Sequence, residues 1–442
     1  MIYNDIIVVG SGPSGTNFSF SALEIGKKIL MIDQGYTNKE KKNLNIQNKY
    51  FHPRLIDPKN SFINKNFKLK NKIVEKNFSS VGSLAIGGLS NVWGGGYWEK
   101  MKTGNKNNDY KRFLNKNFRI YTSNKRDTHI LTKYLNKNKN NSDLEYRTTK
   151  LISYKNKSKI YNSKDIINDL KKFPNFKYKN NSFIETIDFI NGYYVLTDDN
   201  KQKYKCKKLI LACGTLGSTR LVLKLKNLKQ IKQRLYHNIS YGFLGFLKKK
   251  IKYQEQKKHV ASSVIIFKDS NYNCKVSGSI GRYNLEFAKL INIKYPIIGP
   301  FINSILSFFK NRIIIGNLFF PSEFSNSEIF LDTNNNLNIH GKLNNKLIKL
   351  NNKLIKVFFK SNLSFYKIYF QILPLGSDAH YSSTISQNSS VVGLKTNKNG
   401  ELNKYRNLYI VDGSILSSKH LSLFPTFSIM QKSYELAKKI LN

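Results

Sequence analysis

Three glycines near the N-terminus, Gly10, Gly12 and Gly15, stand in the spacing G-x-G-x-x-G within the run GSGPSG. Such a loop suits one kind of chemistry: it brings bare backbone N–H groups to an anion, above all a pyrophosphate. Gly10 permits the tight turn, Gly12 lets the backbone approach the phosphates, and Gly15 lets the following helix press on the strand behind it. Asp33 follows 18 residues after Gly15, at a position where a carboxylate can accept from ribose hydroxyls. A second stretch, IGGLSNVWGGG from Ile86 to Gly96, holds five of the chain's 26 glycines in eleven residues. Something must come close to the backbone there as well. The three cysteines, Cys206, Cys213 and Cys274, form no C-x-x-C pair and leave an odd count. They fit a reducing, cytoplasmic setting without structural disulfides and argue against a disulfide reductase. No metal site is expected.

The elements that must hold these loops can be read around them. Asp5 to Val9 (DIIVV) is a short apolar run, the pattern of a strand buried on both faces. The glycine loop comes next, then a helix with Phe18, Ala22 and Ile25 on one face, stopped at Gly26. A second strand runs from Lys28 to Ile32 and ends in Asp33. This strand–helix–strand unit of about 30 residues implies a parallel sheet. Further on, ETIDFI, Asn191-Gly192 and YYVLT read as a hairpin with a type I′ turn. KYKCKKLILACGTLGSTRLVL returns as strand, glycine turn and helix. Tyr241 to Phe370 shows alternating strands such as SSVIIF and EIFLD, with no further glycine turn of the dinucleotide kind. Pro425 to Leu441 reads as a last helix with Phe427, Met430, Tyr434 and Ala437 on one face.

The net charge of +47, from 74 Lys+Arg against 27 Asp+Glu, is spread along the chain rather than gathered into an arm. No nucleic-acid-binding module accompanies it, so a solvated basic surface is expected and no nucleic-acid partner. Apolar residues at 40% supply a sizeable core. The N-terminus MIYNDIIVVGSG lacks a basic leader region and is read as a strand, not a signal peptide. No run of 18 apolar residues suggests a spanning helix. PIIGPFINSILSFF, Pro296 to Phe309, is read as core or cap, with a membrane-contacting loop as the alternative, which leaves peripheral membrane contact possible.

Four separated segments together resemble the glucose–methanol–choline (GMC) flavin oxidoreductases. They are IIVVGSGPSG, IGGLSNVWGGG, LILACGTLGSTRLVL, and NLYIVDGSIL followed by FPTFSIMQKSYELAKKI. The second is similar to the flavin-contact segment of pyranose-oxidase-type sugar enzymes. The matches cover about a quarter of the chain, in the family's order. The resemblance implies an α/β fold: a Rossmann-like FAD-binding domain, with parallel sheet and β-meander, beneath a mostly antiparallel substrate or cap domain. It implies FAD held by Gly10, Ser11, Gly12, Pro13, Ser14 and Gly15 at the pyrophosphate and by Asp33 at the ribose. Gly87, Gly88, Ser90 and Asn91 would line the flavin ring, Asp412 and Gly413 the phosphate and ribityl region, and Pro425 and Thr426 the pyrimidine edge. Val92 stands where the pyranose oxidase type carries its flavin-linking histidine, so the FAD is expected to be non-covalent. Trp93 and Trp98 could pack on the flavin or on a sugar, or simply belong to the core.

The family's reaction takes a proton from a substrate hydroxyl and moves hydride from the same carbon to the flavin, and a histidine suits the first step. His380, in SDAHYSST, falls at the family's first active-site histidine, with Ser383-Thr384 where a Gly-Thr pair is usual. Ser386, Gln387 and Asn388 replace the Arg-Met-Gly that follows. Phe424 replaces the Asn or His that usually assists the base, and His420 is the nearest substitute. His52, His129, His237, His259 and His340 receive no role. The implied substrate is a small alcohol or sugar-like CH–OH donor, with the electron acceptor open. Two alternatives stay open: another flavoenzyme class (hydroxylase, reductase or amine oxidase) and a flavin binder without turnover. Residues 1–115, 181–240 and 371–442 are expected to form the discontinuous FAD domain, 116–180 a polar insertion, and 241–370 the substrate or cap domain.

Overall fold

The computed structural model describes residues 1–37, 58–97, 108–122, 125–155, 160–252, 261–269, 274–387, 389, 391–418 and 425–442. At its centre is a five-stranded parallel sheet, whose strands are labelled in chain order β1 (Ile6–Val9), β2 (Ile29–Ile32), β3 (Phe176–Lys179), β4 (Lys208–Leu211) and β5 (Leu408–Ile410). They lie side by side as β5-β4-β1-β2-β3. The sequences IIVV and ILMI are buried at every position, as expected of strands covered on both faces. Each such side chain contributes roughly 1.5–3 kcal/mol on leaving water. Helix α1 (Pro13–Glu24) crosses between β1 and β2. It begins with Pro at a first-turn position, ends at the Ile25 cap, and is followed by Gly26 at φ +76°.

Residues 116–180 do not form a separate insertion. Strand Phe118–Tyr121 pairs with Lys150–Tyr154 in a three-stranded sheet with Gly96–Tyr97. Strand Leu144–Thr148 joins the cap sheet beside Ser263–Asp269. Helix α2 (Ser163–Leu170) packs on α1, and β3 completes the parallel sheet. Lys and Asn at the exposed positions of these elements hide their periodicity, while Leu131, Leu135, Ile166 and Ile167 are wholly buried.

The meander matches its sequence pattern. Ile184–Ile190 and Tyr193–Asp198 pair antiparallel across Asn191 (φ +48°) and Gly192 (φ +81°), the left-handed pair that a type I′ turn requires. Lys203–Cys206 follows antiparallel. Helix α3 (Gly214–Leu225) leaves the end of β4.

The cap is a six-stranded antiparallel sheet containing Ile239–Leu247, Cys274–Arg282, Ile313–Phe320 and Phe365–Ile372, with Phe365–Ile372 at one edge. EIFL (Glu328–Leu331) lies instead in a separate four-stranded sheet, where Leu337–His340 runs parallel to Ile73–Lys76 and so ties residues 73–76 to the cap side. Two helices, α4 (Leu285–Lys294) and α5 (Gly299–Phe308), form a hairpin on the cap. The core reading of Pro296–Phe309 is corrected here: Ile297 is 93% exposed, Phe308 82% and Phe301 70%. An apolar run fixes that a segment is apolar all round, not that a partner covers it. The last helix, α6 (Pro425–Leu441), buries Phe427, Met430, Tyr434 and Ala437 as its pattern predicts and packs along α1. No helix among the described residues is long and apolar enough to cross a membrane.

Candidate functional site

The C-terminal ends of β1, β2 and β4 open into one cleft with about 1250 Å³ of space free of protein atoms, counted out into its open mouth. The loop after β1, from Gly10 to Ser14, lines it with Asp33 and the first turn of α3, and so do Ala379, His380 and Tyr381, whose carbonyl accepts from the Thr215 hydroxyl at 3.0 Å. Pro425 and Thr426, at the start of α6, close the side together with Gly413.

The glycines of the fingerprint are required for two different reasons. Gly10 sits at φ +104°, and a Cβ on it would lie 2.4 Å from the carbonyl oxygen of Ala212; a Cβ on Gly15 would lie 2.0 Å from the Gly10 carbonyl oxygen. Protein packing alone demands those two. Gly12 has ordinary backbone angles and nothing within 4 Å of a Cβ. It presents bare backbone to the cleft at an α1 N-terminus that no side chain caps. The N-terminus of α3 lines the same cleft without a cap from its own N-cap side chain, although the Asp412 carboxylate takes the Gly214 N–H. The uncapped N-terminus of α1 behind bare Gly12 favours an anion there, so the cradle fits a dinucleotide pyrophosphate.

Asp33 ends β2 beside this loop. Its carboxylate accepts from the Ser11 hydroxyl and from the backbone at Gln34 and Gly35, with the Tyr178 hydroxyl at 3.5 Å. Those partners fill most of a carboxylate's roughly four acceptor directions, leaving little more than one for a ligand hydroxyl. Burial pushes the carboxyl up to about 7 against these hydrogen bonds, although the residue keeps a face open to the cleft. The Ser11 hydroxyl also accepts from the Gly87 N–H at 2.9 Å, so it is a strut between Asp33 and the second glycine segment.

That second segment departs from its expected placement. Only Gly88 and Leu89 of it line the cleft, and a Cβ on Gly88 would lie 3.2 Å from the Gly12 Cα. Gly87, Ser90 and Asn91, expected against the ring, are not among the residues that line the cleft. The Ser90 hydroxyl donates to the Gly87 carbonyl (2.6 Å) and accepts from the Ser163 N–H (3.0 Å). The Asn91 amide donates to the carbonyls of Ile86 and Gly88 and accepts from Asn162. These side chains lock the loop to the start of α2. Trp93 packs edge-on against Tyr161, 5.5 Å between rings, as part of the core. Trp98 lies outside the described residues.

Asp412 is buried, and its carboxylate accepts from the Ser218 hydroxyl (2.5 Å) and from both the N–H and hydroxyl of Ser414. Burial raises its pKa against those same bonds. It therefore works as a brace that sets the Gly413 turn, where a Cβ would meet the Thr215 hydroxyl at 2.6 Å and the Tyr381 carbonyl oxygen at 2.9 Å.

His380 is held from several sides. Its Nδ1 lies 3.2 Å from Asp378 Oδ2 and 3.2 Å from the Asn238 amide nitrogen, and its ring lies 5.6 Å from that of Phe319. The Asp378 side chain is only 4% exposed. Tyr381, the next residue, pairs with buried His237, and its hydroxyl donates to the Gly376 carbonyl while accepting from the Val81 N–H. Ser383 and Thr384 tie the segment to Leu416 and Thr219. The preceding Ala379 takes φ +61°, a conformation costing a non-glycine residue of order 1–3 kcal/mol. Burial lowers the pKa of His237, which keeps that ring neutral between Asn238 and Ser327. His420 and Phe424 lie outside the described residues.

Two groups escaped the sequence reading. Asp378 stands two residues before His380 and was legible as its neighbour. Arg220 was not: it is a buried helix residue that bonds Asn71 and the Ile184 carbonyl and lines the cleft. Burial pushes its pKa down to about 10, so it brings a poorly hydrated cation to a space already favourable to anions. No cluster of metal-ligating side chains occurs among the described residues.

No protein-family model matches this sequence, and no curated protein matches it. Solved structures do. A pyridoxine 4-oxidase from Mesorbium loti aligns over 99% of both chains with a TM-score of 0.62 and 11% identity. A formate oxidase from Aspergillus oryzae RIB40, in a structure concerned with FAD modification, aligns over 99% of this chain and 98% of its own, with a TM-score of 0.63 and 10% identity. Both are GMC oxidoreductases, and the chain shares their fold from end to end.

Proposed function

We propose that this chain is an FAD-dependent oxidoreductase that oxidises the CH–OH group of a small donor, with His380 as the base. One observation carries the reading: a single cleft is lined both by the glycine loop at the uncapped N-terminus of α1 and by a histidine beside a buried carboxylate. Bound FAD supplies a hydride acceptor. The chain's residues do the rest. Gly12 and the N-terminus of α1 receive the pyrophosphate, Asp33 accepts a ribose hydroxyl, and the first turn of α6 favours negative charge developing beside it. With its proton on Nδ1, 3.2 Å from the Asp378 carboxylate, His380 leaves Nε2 to take the proton of a donor hydroxyl as hydride leaves the same carbon; the Asn238 amide then presents its oxygen to Nδ1. Val92 offers no nucleophile, so the cofactor is held non-covalently.

The sugar-like donor rests on the resemblance of IGGLSNVWGGG. The two relatives are named for pyridoxine and formate, so the donor panel should include both beside sugars and simple alcohols. Free thiols at Cys206 and Cys213 suit a cytoplasmic setting. The test is an absorption spectrum of the purified protein followed by anaerobic titration with the panel. The reading expects a flavin spectrum that a CH–OH donor bleaches, and a 10²–10⁴-fold slower bleaching in His380→Ala with unchanged flavin content. A His380→Ala protein that bleaches at the parent rate with every donor refutes the assignment of the base. Bleaching by a nicotinamide dinucleotide or an amine instead selects a different flavoenzyme class, and no bleaching at all selects a binder without turnover.

A further inference from the structure

We propose that the α4–α5 hairpin is a docking element that seats this protein on the surface of a bilayer rich in anionic phospholipid. The inference rests on the outer surface of the cap and not on the flavin reading. Of the 25 exposed large hydrophobic residues among the described ones, nine fall between Leu285 and Phe309, far more than a segment of that length receives by chance. On α5 the inward face, Ile302 and Leu306, packs on the Tyr283–Ile291–Ile313 cluster. The opposite face, Ile298, Phe301, Ile305 and Phe308, recurs at helical spacing and points to solvent. An ordinary surface helix places polar residues there. The apolar surface continues onto the edge strand through Lys294, which lies over the rings of both Tyr295 (5.3 Å) and the exposed Tyr369 (5.7 Å).

Charge decides what covers this face. Between Tyr283 and Ser322 the sequence holds one acid, Glu286, against Lys289, Lys294, Lys310 and Arg312. Lys248 to Lys250 adjoin them, since the Leu247 N–H donates to the Arg312 carbonyl and the Arg312 guanidinium to the Lys248 carbonyl. A second copy of this chain would set those cations against their equivalents. An anionic lipid surface meets them with opposite charge, each basic residue near it contributing about 1 kcal/mol. At ten residues each, about 15 Å, the helices are too short to cross a hydrocarbon core of about 30 Å. They lie in the interface plane with Phe and Ile inserted and lysines at the headgroups.

The test is flotation of the full chain with vesicles of 70:30 phosphatidylcholine and phosphatidylserine, and with phosphatidylcholine alone, at 0.15 M salt. The chain should float with the anionic vesicles and much less with the neutral ones. Phe301→Ser/Phe308→Ser, which leaves the charge unchanged, should weaken binding at least about tenfold with an unaltered melting temperature. Ile297→Trp should add a fluorescence signal that shifts to the blue on adding anionic vesicles. Failure of the parent to float overturns the proposal. So does equal binding by the double serine variant, which would assign the affinity to net charge alone. Concentration-dependent self-association abolished by that variant overturns it in favour of a second copy.

Discussion

Replacing Asp33 with asparagine separates two properties that the native carboxylate combines. Burial raises its pKa from the ordinary 3.8 to about 7, opposed by the Ser11 hydroxyl and the backbone at Gln34 and Gly35. Between those two values the folded chain holds a proton that the unfolded chain has released. The group's contribution to stability is therefore complete below pH 3.8, falls as pH rises through the window, and is flat above about 7. At 1.36 kcal/mol per pH unit the loss at pH 8 is about 4 kcal/mol, an upper figure because Asp33 keeps a face open to water. Asparagine has no charge to desolvate. It also lacks one acceptor oxygen at every pH, so the informative quantity is the change between two pH values. With roughly 2.1 cal/mol/K per residue for unfolding, the melting temperature of Asp33→Asn relative to the parent should rise by about 3 °C between pH 5 and pH 8, measured on cofactor-free protein. The same substitution should weaken FAD binding at pH 8 by about 10–100-fold, the worth of one hydrogen bond to a charged acceptor. A melting difference that does not change with pH, or changes with opposite sign, refutes this account of Asp33.

The two kinds of fingerprint glycine should fail differently. Gly10→Ala should lower the melting temperature of the cofactor-free protein, because its Cβ meets the Ala212 carbonyl oxygen at a left-handed backbone position. Gly12→Val should melt like the parent yet bind FAD at least about tenfold more weakly, as titration of the flavin spectrum would show. Asp378→Asn should slow donor-dependent flavin reduction by about 10–100-fold while flavin content and melting temperature stay near those of the parent. A structural role alone would lower the melting temperature instead.

What the sequence discloses depends on whether local residues carry the constraint. GSGPSG with Asp33, the Asn191-Gly192 turn and the face of α6 each pair a chain-local pattern with a backbone requirement, and all three hold in the structure. IGGLSNVWGGG was legible as a place of close approach, but not as to what approaches. Much of its bareness answers to Gly12 and to Asn162, residues far away in sequence. Ser90 and Asn91 look like ligand contacts because small polar residues beside glycines often are, yet their bonds close on the loop itself and on the start of α2. Residues 116–180 hid four strands and two helices because their apolar positions are few and are separated by Lys and Asn. Arg220 carried no signal, since nothing in a helix sequence tells which side faces a cleft.

The packing of α6 along α1 also orders events in time. Ser21 donates to the Tyr434 carbonyl at 2.9 Å, and the Tyr434 hydroxyl donates to Glu24 at 2.5 Å, so the first helix is finished by the last. At roughly 5–20 residues per second of synthesis, β1 and α1 wait about 20–90 s for the strand and helix that enclose them. During translation the nascent chain has a phosphate loop but no closed cleft. A chain cut short before Pro425 forfeits both the cleft wall and the cover of α1 in one stroke.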